Sequence, residues 1–317
     1  MIHSEKQPQY DKHLYAVVDL GSNSFHLLIT RLVNNKFKTV TKVKQKIRLA
    51  AGLNNNHELS DAAIKRGIEC LTLFTKHLIH IPPQNIQLTA TATLRIAINR
   101  DQFLIAANKL LPKKISVLSG EQEARVIYSG MAHSCKNDSK KRLVLDIGGA
   151  STELIIGKGF NATKAVSLHL GCVSFKEKYF AGGQLTEINF TTAIDAANDI
   201  INPIKTDFIN LGWQSVVGSS GTMKALAELL VFHQKKVVIT AYFLQEIKQA
   251  LINIKTIDAI TENNCIFAGL RADRAPVLAS GLSILIALFN CLQINELKLS
   301  NGALREGLLF EMMPTAL

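Results

Sequence analysis

Acidic, glycine and serine residues recur at matched spacing in two parts of the sequence. Residues 19–24 read Asp-Leu-Gly-Ser-Asn-Ser, and residues 146–151 read Asp-Ile-Gly-Gly-Ala-Ser. Apolar runs lie on both sides of each segment. Glycines let backbone N–H groups approach an anion, and an acid at a strand end can bind a hard cation or a water. The pattern predicts strand, tight turn and strand, twice, in a duplicated domain that binds phosphate.

A third glycine-bearing turn, residues 218–222, leads into a helical pattern that begins near Met223. The N–H groups and the dipole of a helix N-terminus favour anions. Arg95, between a predicted strand and the next helix, is a candidate bidentate phosphate ligand. Each turn alone could be purely structural, but together they predict a phosphate site made by Gly21, Ser22, Asn23, Ser24, Arg95, Gly148, Gly149, Ser151, Ser220, Gly221 and Thr222.

Two further groups of carboxylates could take part in phosphate chemistry. Asp146 and Glu153 flank the second turn across a predicted hairpin, where both could bind Mg²⁺ or another divalent cation. Glu121 and Glu123 open a predicted helix, where a carboxylate can deprotonate a water for attack on phosphorus. The structural alternatives are a solvated strand residue for Glu153 and helix-dipole stabilisation for the first-turn acids.

The chain is basic, with a net charge of +11 over 317 residues, which favours polyanionic partners. Lys42, Lys44, Lys46 and Arg48 alternate with other residues, so a strand would place all four cations on one face. We interpret this face as a groove for a linear polyanion. A solvated edge strand protected by lysines is the alternative.

Strand and helix signals alternate along the chain, which predicts an α/β protein with mixed sheets in two domains, residues 1–125 and 126–317. The uncharged run from Ala275 to Leu292 is interrupted by proline, serine, glycine and asparagine residues, so it is expected to be a buried helix rather than a membrane span. Scattered cysteines and a polar N-terminus predict a cytoplasmic protein with reduced thiols. The predicted strands cover residues 25–32, 37–49 (one or two strands), 86–91, 115–118, 142–147, 152–157, 165–170, 214–218 and 296–299. The predicted helices cover a segment that Ser60 caps and Pro82-Pro83 ends, 100–111, 120–131, 173–180, 186–204 and a segment starting near 223.

Several function classes lack their usual motifs. The sequence contains neither the Gly-x4-Gly-Lys-Ser/Thr loop of P-loop ATPases nor the Gly-x-Gly-x-x-Gly dinucleotide fingerprint. No cysteine lies near a histidine at zinc spacing. No recognition motif or aromatic platform supports nucleic acid as a partner, despite the charge.

Taken in order, these motifs resemble the exopolyphosphatase / guanosine pentaphosphate phosphatase (Ppx/GppA) family in its short, two-domain form. The resemblance covers nearly the whole chain and rests on residues 18–26, 91–95, 119–125, 146–154, 171–175, 218–222 and 299–307. It implies two ribonuclease-H-like domains of the actin-like ATPase superfamily that face a cleft between them. A homodimer is compatible with it.

The resemblance also implies roles. Glu123 corresponds to the catalytic base, Asp146 and Glu153 to Mg²⁺ ligands, and Asn23, Ser24, Arg95 and the loop glycines to phosphate ligands. The expected reaction is hydrolysis of the terminal phosphate of inorganic polyphosphate, which the basic face favours slightly. Hydrolysis of the 5′ γ-phosphate of pppGpp is the competing reaction, and a phosphotransferase or a binding protein are the alternatives outside hydrolysis.

The sequence departs from the family pattern at two positions. Gln122 stands where a glutamate is usual, and Ala150 replaces the third glycine of the second turn, which must therefore accommodate a Cβ. The sequence also ends before the helical C-terminal region found in long members, which makes processive action on very long chains a weaker expectation.

Overall fold

The structure, a computed structural model, describes residues 9–135, 140–260 and 265–313. It divides into two compact units, one running up to Ser119 and resuming at Leu308, the other spanning Gly120–Gly307. The two units thus meet before the helix that starts at Gly120, whereas the predicted boundary lies within that helix, after residue 125. Predictions about residues 1–8 and 136–139 lie outside the described residues.

The first unit contains a five-stranded mixed sheet in the order β3-β2-β1-β4-β5. The β1–β2 and β2–β3 pairs are antiparallel, and the β1–β4 and β4–β5 pairs are parallel. Its elements are β1 (Leu14–Leu20), β2 (Ser24–Val33), β3 (Lys36–Lys46), α1 (Asp61–Leu78), β4 (Ile86–Ala90), α2 (Ala92–Ile96), α3 (Arg100–Asn108) and β5 (Ser116–Val117).

Aromatic packing fixes the helices of this unit on the sheet. The rings of Phe25 and Phe103 meet edge to face with centroids 6.2 Å apart. A Cβ at Gly67 would lie 2.5 Å from Phe103 Cε2, so α1 can approach α3 only with glycine there. Ser60 caps α1 by accepting a hydrogen bond from Ala63 N, as the sequence predicts. The core of the first unit therefore holds the strand ends that carry the first turn.

The second unit contains a six-stranded mixed sheet in the order β10-β11-β9-β6-β7-β8. The β6–β7, β7–β8 and β10–β11 pairs are antiparallel, and the β6–β9 and β9–β11 pairs are parallel. Its elements are α4 (Gly120–Ser134), β6 (Lys141–Ile147), β7 (Thr152–Lys158), β8 (Asn161–Leu168), α5 (Cys172–Tyr179), α6 (Glu187–Leu211), β9 (Ser215–Gly218), α7 (Gly221–Phe232), β10 (Ile239–Thr240), α8 (Ala241–Ile254), α9 (Leu278–Leu292), β11 (Glu296–Leu299) and the start of α10 (Leu304–Glu311).

The two sheets share one topology. Read as β8-β7-β6-β9-β11, the second sheet repeats the 3-2-1-4-5 order and the strand directions of the first, with β10 added at its edge. The duplication predicted from the two acidic turns is confirmed. All of the predicted strands and helices are present, with ends that differ by a few residues, and α6 continues to Leu211.

The long uncharged segment forms a buried helix. The window Ala275–Leu292 is apolar and long enough to cross a membrane by composition alone, but 83% of it is buried inside the protein. Ser280 and Ser283 satisfy their hydroxyls by donating to the carbonyls of Cys172 and Ala279, at 2.6 and 3.0 Å. The helix α9 is therefore the centre of the second unit's helical layer, as predicted from its polar interruptions.

The described thiols differ sharply in accessibility. Cys70, Cys172 and Cys291 are buried, whereas Cys265 is exposed. Burial raises the pKa of Cys70 and of Cys172 to about 12. Because only the thiolate is nucleophilic, these two thiols are protected both by packing and by protonation.

We expect Cys265 to react rapidly with a disulfide reagent at pH 8, and Cys70 and Cys172 to react only after unfolding. Raising the pH from 7 to 8.5 should leave Cys70 and Cys172 unreactive, because burial holds the pKa of both thiols at about 12. Timed labelling read by mass spectrometry of peptides measures this. Fast labelling of Cys172 in the native protein would contradict the packing, and Cys265→Ser identifies the fast phase.

Candidate functional site

The first and second turns have the same backbone geometry. A Cβ at Gly21 would lie 2.9 Å from the carbonyl oxygen of Ser24, and one at Gly148 would lie 3.0 Å from that of Ser151. Both glycines are thus required by the same close approach of the chain to itself. The segment after β3 holds the first turn, with Ile47 N and Arg48 N donating to Asn23 O at 3.1 and 2.8 Å.

The second turn is held by the N-terminus of α5. Cys172 N donates to Gly148 O at 2.9 Å and Val173 N donates to Gly149 O at 2.8 Å. Ala150 is buried at 8% exposure and does not adopt a left-handed φ, so its Cβ is accommodated without backbone strain. Gly171 lets the two segments approach closely, because a Cβ at that position would lie 2.3 Å from Ala150 N. The substitution at position 150 is therefore compatible with the turn.

The predicted metal ligands face each other across this hairpin. Asp146 and Glu153 are directly paired in the β6–β7 ladder, so their side chains lie on the same face of the sheet. Glu153 is 1% exposed, and its Oε1 accepts hydrogen bonds from the hydroxyls of Ser151 at 2.7 Å and Ser167 at 2.8 Å. Asp146 Oδ2 accepts from Ser219 Oγ at 2.9 Å.

The two glutamates at the start of α4 have different surroundings. Glu123 is 6% exposed, and its charge acts on Glu153. Glu121 has a side chain that is 62% exposed and forms an ion pair with Arg125 at 2.8 Å. Burial and its effect on the charge of Glu153 therefore distinguish Glu123 from Glu121, and the role of Glu123 as base stays a prediction.

Burial and neighbouring negative charges shift the pKa values of the acids in this cluster. Desolvation raises the pKa of Glu153 well above its ordinary value, and the charges of Glu123 and Asp146 raise it further. The hydroxyls of Ser151 and Ser167 offset part of this rise. Three carboxylates that share a buried region need a compensating positive charge to be ionised together.

Neighbouring groups of the protein partly stabilise the negative charge of Asp146. Burial raises its pKa, and the Ser219 hydroxyl and the cations Lys224 and Arg305 oppose the rise. Among the described residues, no group of three or more His, Cys, Asp or Glu side chains is arranged to hold a metal ion. Two carboxylates fit Mg²⁺, which binds through one or two carboxylates and keeps waters and substrate phosphates as its other ligands.

Side chains of the third turn are engaged in the fold. Ser220 Oγ caps α7 by accepting from Met223 N at 3.3 Å. Thr222 is buried against α9, since a Cβ at Gly281 would lie 2.3 Å from Thr222 Oγ1. A Cβ at Gly221 would meet no described atom within 4 Å. Backbone N–H groups rather than hydroxyls are thus the groups that this turn can offer an anion.

In the first unit, Arg95 Nη1 donates to Leu118 O at 3.0 Å, which ties α2 to the end of β5. The hydroxyls of Ser24 and Thr93 are buried and have no hydrogen-bond partner among the described residues. A buried hydroxyl without a partner is costly unless a ligand satisfies it. Ser24 was predicted to bind phosphate, whereas Thr93 was missed, although the unpartnered hydroxyl lies two residues before Arg95.

The predicted basic face is shorter than the sequence suggested. Lys42, Lys44 and Lys46 alternate on β3, an edge strand, and all three are exposed. Arg48 lies beyond the strand end in a left-handed conformation with φ of 52°. The prediction that it shares the strand face is wrong, because buried Ile47 and the hydrogen bonds to Asn23 O turn the backbone away after Lys46.

Comparison with known proteins connects this geometry to a family. The sequence pattern of the Ppx/GppA phosphatase family matches residues 28–316. The chain belongs to the Ppx/GppA phosphatase family. It is similar to proteins named guanosine-5′-triphosphate,3′-diphosphate pyrophosphatase, at 47% identity in Photobacterium profundum and 48% in Pseudoalteromonas translucida. The alignments cover 95% and 96% of this chain but 59% and 60% of those relatives.

Solved structures of the Ppx/GppA family have the same fold. An exopolyphosphatase from Cytophaga hutchinsonii has a TM-score of 0.84 at 22% identity, with 94% of this chain and 97% of that chain covered. A family member from Aquifex aeolicus has a TM-score of 0.76 at 23% identity, with the same coverage. The predicted actin-like ATPase fold, with two mixed sheets, is confirmed.

The buried acids predict a stability effect in the metal-free protein. A carboxyl whose pKa is raised in the folded state contributes stability below its ordinary pKa, and that contribution is lost as the pH rises through the raised value. We expect Glu153→Gln in EDTA at pH 7.5 to unfold at a higher temperature than the wild type, because the variant removes a buried negative charge that destabilises the metal-free protein. The difference should shrink at pH 5.

Thermal unfolding followed by circular dichroism at both pH values measures this effect. Glu177→Gln, at an exposed glutamate paired with Lys176, is the matched control and should change little. A Glu153→Gln variant that is less stable than the wild type at both pH values would show that the serine hydrogen bonds outweigh the buried charge.

Proposed function

We propose that this chain hydrolyses the terminal 5′ phosphate of guanosine 5′-triphosphate 3′-diphosphate, pppGpp. The observation that carries the hydrolytic part is the burial of Glu123 within reach of the charges of Asp146 and Glu153. The choice of substrate follows from the names of relatives that are 47–48% identical over 95–96% of this chain. It reverses the order of the two substrates expected from the sequence alone.

In the proposed reaction, Glu123 accepts a proton from a water whose oxygen attacks the terminal phosphorus. A P–O bond forms to the water oxygen, the bond from that phosphorus to the bridging oxygen breaks, and the products are inorganic phosphate and ppGpp. Backbone N–H groups of the glycine turns stabilise charge on the phosphoryl oxygens. Asp146 and Glu153 would hold Mg²⁺, which when bound supplies further charge neutralisation on the phosphates.

We expect Glu123→Gln to lower kcat for phosphate release by about 10²–10⁴-fold with little change in KM, because only the proton transfer is lost. Glu121→Gln is the matched control two residues away, and it should keep nearly full activity since its carboxylate is exposed and pairs with Arg125. Release of phosphate from pppGpp in the presence of Mg²⁺ measures both. An unchanged kcat in the Glu123 variant would remove this residue from the mechanism.

Hydrolysis of inorganic polyphosphate is the second candidate function, and the exposed lysines of β3 favour it. Lys42, Lys44 and Lys46 present three cations along about 13 Å of strand, and a linear polyanion could follow them. A higher kcat/KM for pppGpp than for long-chain polyphosphate is the outcome that the primary proposal requires. The reverse preference would make polyphosphate the substrate, with the same chemistry.

We expect the triple variant with Lys42, Lys44 and Lys46 changed to Gln to raise KM for long-chain polyphosphate at least tenfold, and KM for pppGpp much less. The reason is that only a long chain can contact all three cations, and the effect should diminish in high salt. The control changes the exposed lysines Lys65, Lys76 and Lys109 of the same unit to Gln. Equal losses on both substrates would leave the strand with a solubilising role.

A further inference from the structure

Helix α9 contacts the segments that form the second and third glycine turns, through two adjacent residues near its start. Ser280 is 1% exposed, and its hydroxyl lies 2.6 Å from Cys172 O and 3.1 Å from Val277 O. Gly281 comes next in the helix and packs against Thr222. Neither residue is a predicted phosphate ligand, so the requirement for these two small residues needs an explanation of its own.

The contact of Ser280 reaches the second turn through one residue of α5. Ser280 Oγ donates to the carbonyl oxygen of Cys172, and the N–H group of the same cysteine donates to Gly148 O at 2.9 Å. Val173 N donates in the same way to Gly149 O at 2.8 Å. Loss of the Ser280 hydroxyl would therefore loosen the start of α5 on α9, and the turn that α5 holds would shift with it.

Gly281 determines how closely α9 approaches the third turn. A Cβ at this position would lie 2.3 Å from Thr222 Oγ1, 2.9 Å from its Cγ2 and 3.2 Å from its Cβ. Rotation of the Thr222 side chain cannot relieve this clash, because both of its branches are close. Thr222 is 5% exposed in the first turn of α7, so the backbone of the third turn would have to move.

The two turns share one carboxylate. Asp146 lies at the end of β6, which leads into the second turn, and its Oδ2 accepts from Ser219 Oγ of the third turn at 2.9 Å. A displacement of either turn would change the surroundings of this acid and the direction of the backbone N–H groups. Misplacement by about 1 Å can cost about 10²-fold in rate, even when the substitution lies far from the reacting atoms.

We infer that Ser280 and Gly281 are positioning residues, which hold the second and third turns at the separation that the substrate phosphates require. Ser280 acts by a hydrogen bond, and Gly281 acts by the absence of a side chain. The inference rests on the proposed function, because it gives these two turns the task of binding phosphate. Both residues act through others, namely Cys172 and Thr222.

We expect Ser280→Ala to lower kcat/KM for pppGpp about tenfold, because the second turn loses its connection to α9. Ser283→Ala is the matched control, since Ser283 is equally buried but donates to Ala279 O within its own helix. Both variants should lose similar thermal stability, because each removes one buried hydrogen bond. Equal activity of the two folded variants would overturn the role of Ser280.

A double-mutant cycle tests Gly281 separately. Gly281→Ala should lower kcat/KM about tenfold in the wild-type background, but about threefold or less in the background of Thr222→Ala, where only the Cβ contact at 3.2 Å remains. Thr222→Val keeps both branches of the side chain and should leave the full cost of Gly281→Ala. Each comparison lies within one background, which removes any effect of Thr222 itself. An equal cost in all three backgrounds would overturn the role of Gly281.

Calorimetric titration with tripolyphosphate and Mg²⁺ separates this inference from the proposed function. Ser280→Ala and Gly281→Ala should each raise the Kd for tripolyphosphate about tenfold, because the turns are no longer preorganised, and Ser283→Ala should leave it unchanged. A purely structural role would lower the unfolding temperature and leave the affinity of the folded variants as in the wild type, which would overturn the inference.

The two possible failures are distinguishable in this experiment. If the protein released no phosphate from pppGpp, the proposed function would fail, while the difference in tripolyphosphate affinity between Ser280→Ala and Ser283→Ala would still support the positioning of the turns. A wild type that does not bind tripolyphosphate would overturn the inference whatever the protein hydrolyses.

Discussion

The second unit is organised around the burial of like-charged carboxylates. Asp146 and Glu153 face each other across one hairpin, and Glu123 adds its charge from the start of α4. Such an arrangement costs free energy in the absence of a cation, and a fold optimised only for stability would avoid it. The surrounding structure supplies what offsets the cost: hydroxyls on Glu153, and a hydroxyl and two cations around Asp146. This unfavourable cluster therefore points to phosphate chemistry more strongly than any glycine turn does.

The duplicated topology explains why only part of the chain carries this cluster. Both sheets follow the same strand order, and both first turns have the same close glycine contact. They differ in the residue paired with the turn's acid, since Asp19 is opposite His26 whereas Asp146 is opposite Glu153. One copy of the hairpin can thus concentrate negative charge while the other cannot. The repeat provides two glycine turns of the same geometry, but the acidic cluster belongs to the second unit.

Sequence reasoning succeeded where a structure is determined locally. The acidic turns, the Ser60 cap and the alternating strands follow from residues close together in the chain, and the structure contains all of them. It failed where distant contacts decide. Arg48 leaves the strand face because Ile47 N and Arg48 N bond to Asn23 O. Strand β10 has two residues and exists through its pairing with β11, which no local pattern reveals.

In the third turn, a serine occupies a position where its hydroxyl could either bind phosphate or cap a helix. Serine before a helix is both a common phosphate contact and a preferred N-cap, and Ser220 uses its hydroxyl for the cap. The cap fixes the first turn of α7, and Lys224 in that turn acts on the charge of Asp146. The hydroxyl of Ser220 is therefore used for the start of the helix, while the backbone N–H groups of the turn stay available to an anion. A cavity of about 470 Å³ beside this helix is lined by residues from Lys224 to Leu299, so no contiguous motif could have identified it.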